Sequence, residues 1–184
     1  MSDNDPDRKP LILNGARQVG KTWILKEFGE KCYNKVAYIN MDKNPRMQTL
    51  FYDYDIDRLL QGFKAETGVS IEPENTLIIL DEIQEIPEAI SSLKYFCENA
   101  REYHIVVAGS LLGVSIHNGV SFPVGKVDFM QLYPLNFIEF LTAIGEDSLA
   151  DIIENANIDM MNVFSDKLKS LLKEYYYGTT SIHN

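Results

Sequence analysis

The chain has 184 residues, with 17 Lys and Arg against 27 Asp and Glu, a formal charge of 17 − 27 = −10. Hydrophobic residues make up 45% and charged residues 24%, the balance of one globular domain with a sizeable core. An acidic chain repels phosphate backbones on average, so strong nucleic-acid binding by this segment is not expected, although a local basic patch stays open. The two cysteines, Cys32 and Cys97, follow no disulfide or zinc pattern. They read as small buried apolar residues in a reducing compartment. The start, "MSDNDPDRKP", has no apolar signal segment, and no apolar run approaches the ~20 residues a bilayer needs. A cytoplasmic protein without membrane contact is expected.

Residues 1–9 read as a flexible tail. "PLILN" (10–14) is a short apolar run into Asn-Gly, a buried strand entering a turn. "KTWILKEFGE" carries Trp23, Ile24, Leu25 and Phe28 at helical spacing, with Gly29 as a plausible stop. "KVAYINMD" (35–42) alternates and is rich in β-formers, so it reads as a strand. Residues 46–65 read as a helix with room for a break. "TLIILDEIQ" (76–84) is a continuous apolar run ending in acids, the pattern of a strand buried on both faces. Residues 87–101 start at Pro87 and place Ile90, Leu93, Phe96 and Cys97 on one helical face. "HIVVAGS" (104–110) is another buried strand, and "KVDFMQLYPL" (126–135) a further one turning at Pro134 into the helix "NFIEFLTAI". Residues 147–177 read as helical. Strands alternating with helices predict parallel β-α units in a three-layer α/β/α sandwich.

The first turn spells G-x-x-x-x-G-K-T: Gly15, Ala16, Arg17, Gln18, Val19, Gly20, Lys21, Thr22. A chance match in a chain of this length has odds on the order of 1 in 200. Glycines let the backbone curl into a nest of N–H groups around phosphate oxygens, and the helix that follows adds the positive end of its dipole. Lys21 reaches the β- and γ-phosphates as a charge, and the Thr22 hydroxyl is a magnesium ligand. The expected cradle runs from Gly15 to Trp23. Sixty positions after Lys21, the end of the apolar run "TLIIL" supplies Asp81 and Glu82. Asp81 fits the carboxylate that completes a magnesium shell; Glu82 fits a general base polarising the attacking water. Successive strand side chains point opposite ways, so the two acids can serve different partners. Ser110, at the tip of "HIVVAGS", can hold that water, touch the γ-phosphate, or simply close a turn. Gln84 sits near enough in sequence for a polar contact.

Together "GARQVGKT", "TLIILDEIQEIPEAISSLKYF", "VVAGSLLG" and "KVDFMQLYPLNFIEFL" resemble the bacterial and archaeal AAA+-type ATPases in which an ATPase domain precedes a C-terminal domain of unknown function. The resemblance covers roughly residues 8–177. It implies a P-loop NTPase with strand order 5-1-4-3-2. It also implies Walker A roles for Lys21 and Thr22, Walker B roles for Asp81 and Glu82, and a sensor 1 role for Ser110. Domain limits follow: a tail over 1–9, the ATPase core over 10–145, and a helical segment over 146–184 that begins a lid. Relatives continue from the equivalent of "LLKEYYYG" into Gly-Gly-Met-Pro-Glu and more helices, whereas this chain reads "GTTSIHN". A truncated lid and a missing second domain are therefore expected. Where relatives often place Gly-Arg before the fifth strand, Gly125-Lys126 stands here. Lys lacks the planar fork of an arginine finger, so a finger from a second copy or a protein partner is the expectation.

The leading expectation is an ATPase that binds ATP with Mg²⁺ and turns it slowly into ADP and phosphate, as switch or motor for a further domain. A GTPase would need Asn-Lys-x-Asp; the one Asn-Lys here continues to Ala37. A small-molecule kinase rarely needs a water-activating acid such as Glu82. A different class, a non-catalytic nucleotide-binding interaction module, is suggested by the aromatic run Tyr175-Tyr176-Tyr177. His104, His117 and His183 lack metal-ligand spacing, so magnesium is the one metal expected. The Gly-rich loop around His117 reads as a mobile element near the γ-phosphate.

Overall fold

The computed structural model describes residues 7–110 and 123–178. Five strands form one parallel sheet: β1 (Leu11–Gly15), β2 (Lys35–Asn40), β3 (Thr76–Asp81), β4 (His104–Gly109) and β5 (Asp128–Leu132). Their order is β2-β3-β4-β1-β5, the expected 5-1-4-3-2 read from the other edge. Helices α1 (Lys21–Cys32), α2 (Pro45–Leu50), α3 (Ile56–Thr67) and α4 (Pro87–Asn99) alternate with the first four strands.

Strand alternation builds two cores. Ile12, Ile39, Ile78, Leu80 and Val107 face α2, α3 and α4, where Met47, Leu59, Phe63, Ile90, Leu93 and Phe96 are buried. Leu13, Leu77, Ile79, Val106 and Ala108 face the other way, onto Leu25 of α1. Every residue of β3 and β4 is buried, which explains why both read as unbroken apolar runs. The result is the expected three-layer sandwich. Because α1 leaves β1 on one face and α4 leaves β3 on the other, a crevice opens at the carboxyl ends of the strands, the usual ligand position in such sheets.

Several boundaries differ from expectation for local reasons. Helix α1 does not stop at Gly29 but runs to Cys32. Gly29 is there for close packing: a methyl on it would come within 2.7 Å of Val36 Cγ2 on β2. The extra turn leaves Cys32 exposed, against the expectation of burial, while Cys97 is buried. The 46–65 helix is indeed broken. Phe51 is fully buried in the break, Tyr54 adopts a left-handed φ of 59°, and Asp55 restarts the helix by accepting from Arg58 N at 2.8 Å. The β2 strand ends at Asn40 and the β3 strand at Asp81, short of the predicted limits.

The chain divides after Leu132 into two compact units. The second holds α5 (Phe137–Ala143), α6 (Asp147–Glu154), α7 (Ile158–Val163) and α8 (Ser165–Gly178). A capping box opens α5: Asn136 Oδ1 accepts from Glu139 N at 2.9 Å, and Glu139 Oε2 from Asn136 N at 2.7 Å. Leu141, Leu149 and Ala150 form its small core. No helix among the described residues is long and apolar enough to cross a membrane.

Phe63 is fully buried, with Phe51 and Phe96 rings 5.8 and 6.4 Å away. Replacing it by Ala removes both contacts and leaves a cavity, so Phe63→Ala is expected to cost about 3–5 kcal/mol in urea denaturation.

Candidate functional site

The loop from Gly15 to Gly20 joins β1 to α1 at the carboxyl edge of the sheet. Its two glycines serve different ends. Gly15 is needed for space: a Cβ there would lie 2.5 Å from the Leu132 carbonyl oxygen on β5. Gly20 is needed for conformation, as it enters the helix at φ 90°. Gln18 also takes a positive φ, 64°, so the loop turns by left-handed steps at 18 and 20. The Asn14 side chain steadies the entrance, its Oδ1 accepting from Gly15 N at 2.9 Å. Ala16, Arg17 and Gln18 are exposed along the rim. The first turn of α1 has no acidic residue and no side chain capping it. Its N–H groups and dipole are therefore available to an anion.

Lys21 is buried and bends back over the loop. Its Nζ donates to the Gly15 carbonyl at 2.9 Å and the Ala16 carbonyl at 2.7 Å. An ammonium has three donors, so one remains for a ligand. Burial holds the Lys21 pKa below the usual lysine range, while the charges of Glu82 and Asp81 pull it back up.

Asp81 meets Thr22 directly. The Thr22 hydroxyl donates to Asp81 Oδ2 at 2.6 Å, across 59 positions of sequence. Asp81 ends a strand whose 77, 79 and 81 side chains face α1, so alternation points the carboxylate at the loop. The same Oδ2 accepts from the Tyr38 hydroxyl at 2.9 Å, and Oδ1 accepts from Glu82 N at 3.0 Å. Burial, and next the hydrogen bond to Asp81, push the Tyr38 phenol pKa well up, so it remains a proton donor. Tyr38 was not singled out by sequence, because only the β2–β3 register brings it beside Asp81.

At Glu82 the backbone turns left-handed, φ 53° and ψ 43°, an uncommon conformation for a non-glycine residue. This swings its side chain off the strand alternation. Gln84 Nε2, from the 3₁₀ turn Ile83–Glu85, donates to Glu82 Oε2. The Gln84 Oε1 and Ser110 Oγ atoms are buried with no hydrogen-bond partner among the described residues. Thr22, Asp81 and Tyr38 are thus joined in one hydrogen-bonded network, with Glu82 attached through its backbone N–H and Gln84 through Glu82, while Lys21 bonds to the loop carbonyls. Ser110 follows β4 at the same sheet edge.

Trp23 follows Thr22 in the first turn of α1, with its side chain 68% exposed. The remaining candidates fall elsewhere. Lys126 pairs with Glu98 of α4 at 2.9 Å. Tyr175 packs on Phe137 and Phe140 and donates to the Leu135 carbonyl at 2.7 Å, while Tyr176 and Tyr177 are exposed. His104 lies buried at the start of β4 with its Nδ1 2.9 Å from the Tyr33 hydroxyl. His117, its Gly-rich loop and His183 lie outside the described residues. Among the described residues no three His, Cys, Asp or Glu cluster as a metal cage.

A family model described as "AAA domain" matches residues 7–141. The chain belongs to this AAA-domain family. No curated protein matches it. The match covers the loop, the Asp81 strand end, Ser110 and the start of α5, and it supports a nucleotide-binding, ATPase-like role.

The AAA domain's own atoms fit a nucleotide with a hard cation. The Thr22 hydroxyl and the Asp81 carboxylate are oxygen donors of the kind magnesium takes. Two buried polar atoms, on Gln84 and Ser110, lack partners among the described residues at the carboxyl edge, where a ligand could supply them.

Close packing at Gly15 makes a specific demand. A methyl there must push against the Leu132 backbone, so Gly15→Ala is expected to lower stability by about 1–3 kcal/mol in urea denaturation.

Proposed function

We propose that this AAA domain binds Mg-ATP at the carboxyl edge of the sheet and hydrolyses it slowly to ADP and phosphate, as a switch or motor for an attached domain or partner. The observation that carries the reading is the 2.6 Å bond from Thr22 to Asp81, which joins the end of the Gly-rich loop to the acidic strand end beside the buried Lys21 ammonium. Residues Gly15 to Trp23 would cradle the phosphates. Loop N–H groups and the Lys21 charge neutralise oxygens that gain negative charge as the terminal phosphoryl departs.

Thr22 and Asp81 would hold magnesium, which when bound would offset the negative charge of the phosphate groups. Glu82 is the general base: it takes a proton from water as the water oxygen bonds to the γ-phosphorus. The bond from that phosphorus to the β–γ bridging oxygen breaks, and the bridging oxygen leaves on ADP. Gln84, donating to Glu82, holds that carboxylate in place. The Ser110 hydroxyl supplies a donor to the water or the departing phosphoryl.

Lys126 is already engaged by Glu98. Hydrolysis by the isolated chain is therefore slow, and an arginine from a second copy or a protein partner would raise it, by about 10³–10⁵ in known systems. Two free cysteines, one of them exposed, fit a reducing cytoplasmic setting.

Ligands that bind only the folded state stabilise it by mass action. At a hundredfold excess over its dissociation constant, Mg-ATP should add about 2.7 kcal/mol, or roughly 5–10 °C in melting temperature for a chain of this size. Lys21→Ala should abolish the shift. Glu82→Gln should keep it while removing phosphate release. A Glu82→Gln variant that still releases phosphate at the wild-type rate would remove Glu82 from the reaction.

A further inference from the structure

The Asp81 carboxylate is held by more than the two motifs explain. A carboxylate has about four lone-pair positions. Two, both on Oδ2, accept from Thr22 Oγ1 at 2.6 Å and Tyr38 Oη at 2.9 Å. A third, on Oδ1, accepts from Glu82 N at 3.0 Å. One position, on Oδ1, is left. Tyr38 in turn is fixed from the helix side: the Lys26 ammonium lies 3.7 Å above the centre of its ring. Lys26 is one helical turn beyond Thr22 on α1, so the helix that supplies Thr22 also clamps the ring that steadies the partner of Thr22.

We infer that Tyr38 is a positioning residue for the divalent cation. By occupying the second lone pair of Oδ2 it fixes the carboxylate torsion, so that the Thr22 hydrogen stays directed at Asp81. The lone pairs of the Thr22 oxygen then face away from Asp81, and the open Oδ1 position is the one presented to the cation or its water. This rests on the Mg-ATP reading above. It adds a residue from β2 that neither the Gly-rich loop nor the acidic strand end contains, with Lys26 as its clamp.

The role predicts an effect confined to the metal. Groups that orient a ligand without touching the metal typically change metal affinity 10–100-fold when removed. The test compares the dissociation constant of ATP in excess Mg²⁺ with that in EDTA, for the wild type and for Tyr38→Phe, by isothermal titration calorimetry. In Tyr38→Phe the gain from Mg²⁺ should shrink by about tenfold or more, with the EDTA value unchanged. Replacing Tyr38 by 4-aminophenylalanine, which donates from the same para position, should restore most of the gain.

A gain equal to wild type in Tyr38→Phe would overturn the proposal. So would a parallel weakening with and without Mg²⁺, which marks general loosening of the site, or a failure of 4-aminophenylalanine to restore the gain if Tyr38→Phe does not fold. Wild type that binds ATP without any gain from Mg²⁺ overturns the metal role and this inference with it. Wild type that binds no ATP at all overturns the underlying reading.

Discussion

Everything at the carboxyl edge of this sheet depends on one hydrogen bond, from the Thr22 hydroxyl to Asp81. It closes a loop of 59 positions and needs two independent structures to be right at once. Helix α1 must begin at Lys21, so that Thr22 is in its first turn. Strand β3 must end at Asp81, with 77, 79 and 81 on the α1 face. A register slip of one residue in β3 would turn the carboxylate to the opposite, apolar face, the one that carries Ile12, Ile39 and Val107. The apolar β3 strand resists that slip because both its faces are already packed.

The electrostatics follow from the same arrangement. The net charge of the chain is negative, yet the loop gathers Arg17, Lys21 and the unopposed start of α1 at one point. Lys21 is buried next to two carboxylates, and its ammonium is shared with loop carbonyls instead of being committed to an ion pair. That leaves a positive group whose partner can be replaced or extended by phosphate without breaking a salt bridge. Glu82 is treated differently: a left-handed backbone step takes it off the strand, and Gln84 receives it. Adjacent acids thus end in separate environments, one bonded to the Thr22 and Tyr38 hydroxyls and one held by an amide.

Much of this was legible in the sequence where the chemistry is local. The spacing of Gly15, Gly20, Lys21 and Thr22 announces a loop and a helix start, and the unbroken run before Asp81 announces a strand buried on both faces. Strand order came from family resemblance and agrees with the structure. Contacts that depend on register were not legible. Tyr38 looks like any half-buried aromatic in "KVAYIN" until β2 is laid beside β3. Gly29 looked like a helix stop because its reason for being glycine is Val36, on a different element. Cys32 reads as buried from the general preference of free cysteines, yet the last turn of α1 leaves it exposed. Gly15 and Gly20 looked equivalent, yet one answers a neighbouring strand and the other a dihedral angle.

The family match supports nucleotide binding, the proposed place for it is this edge, and calorimetry addresses that directly. ATP titrated into the wild-type chain in excess Mg²⁺ should give a saturable one-to-one isotherm that weakens in EDTA and disappears in Lys21→Ala. An isotherm unchanged by Lys21→Ala, or no binding by the wild type at millimolar ATP, would contradict the account.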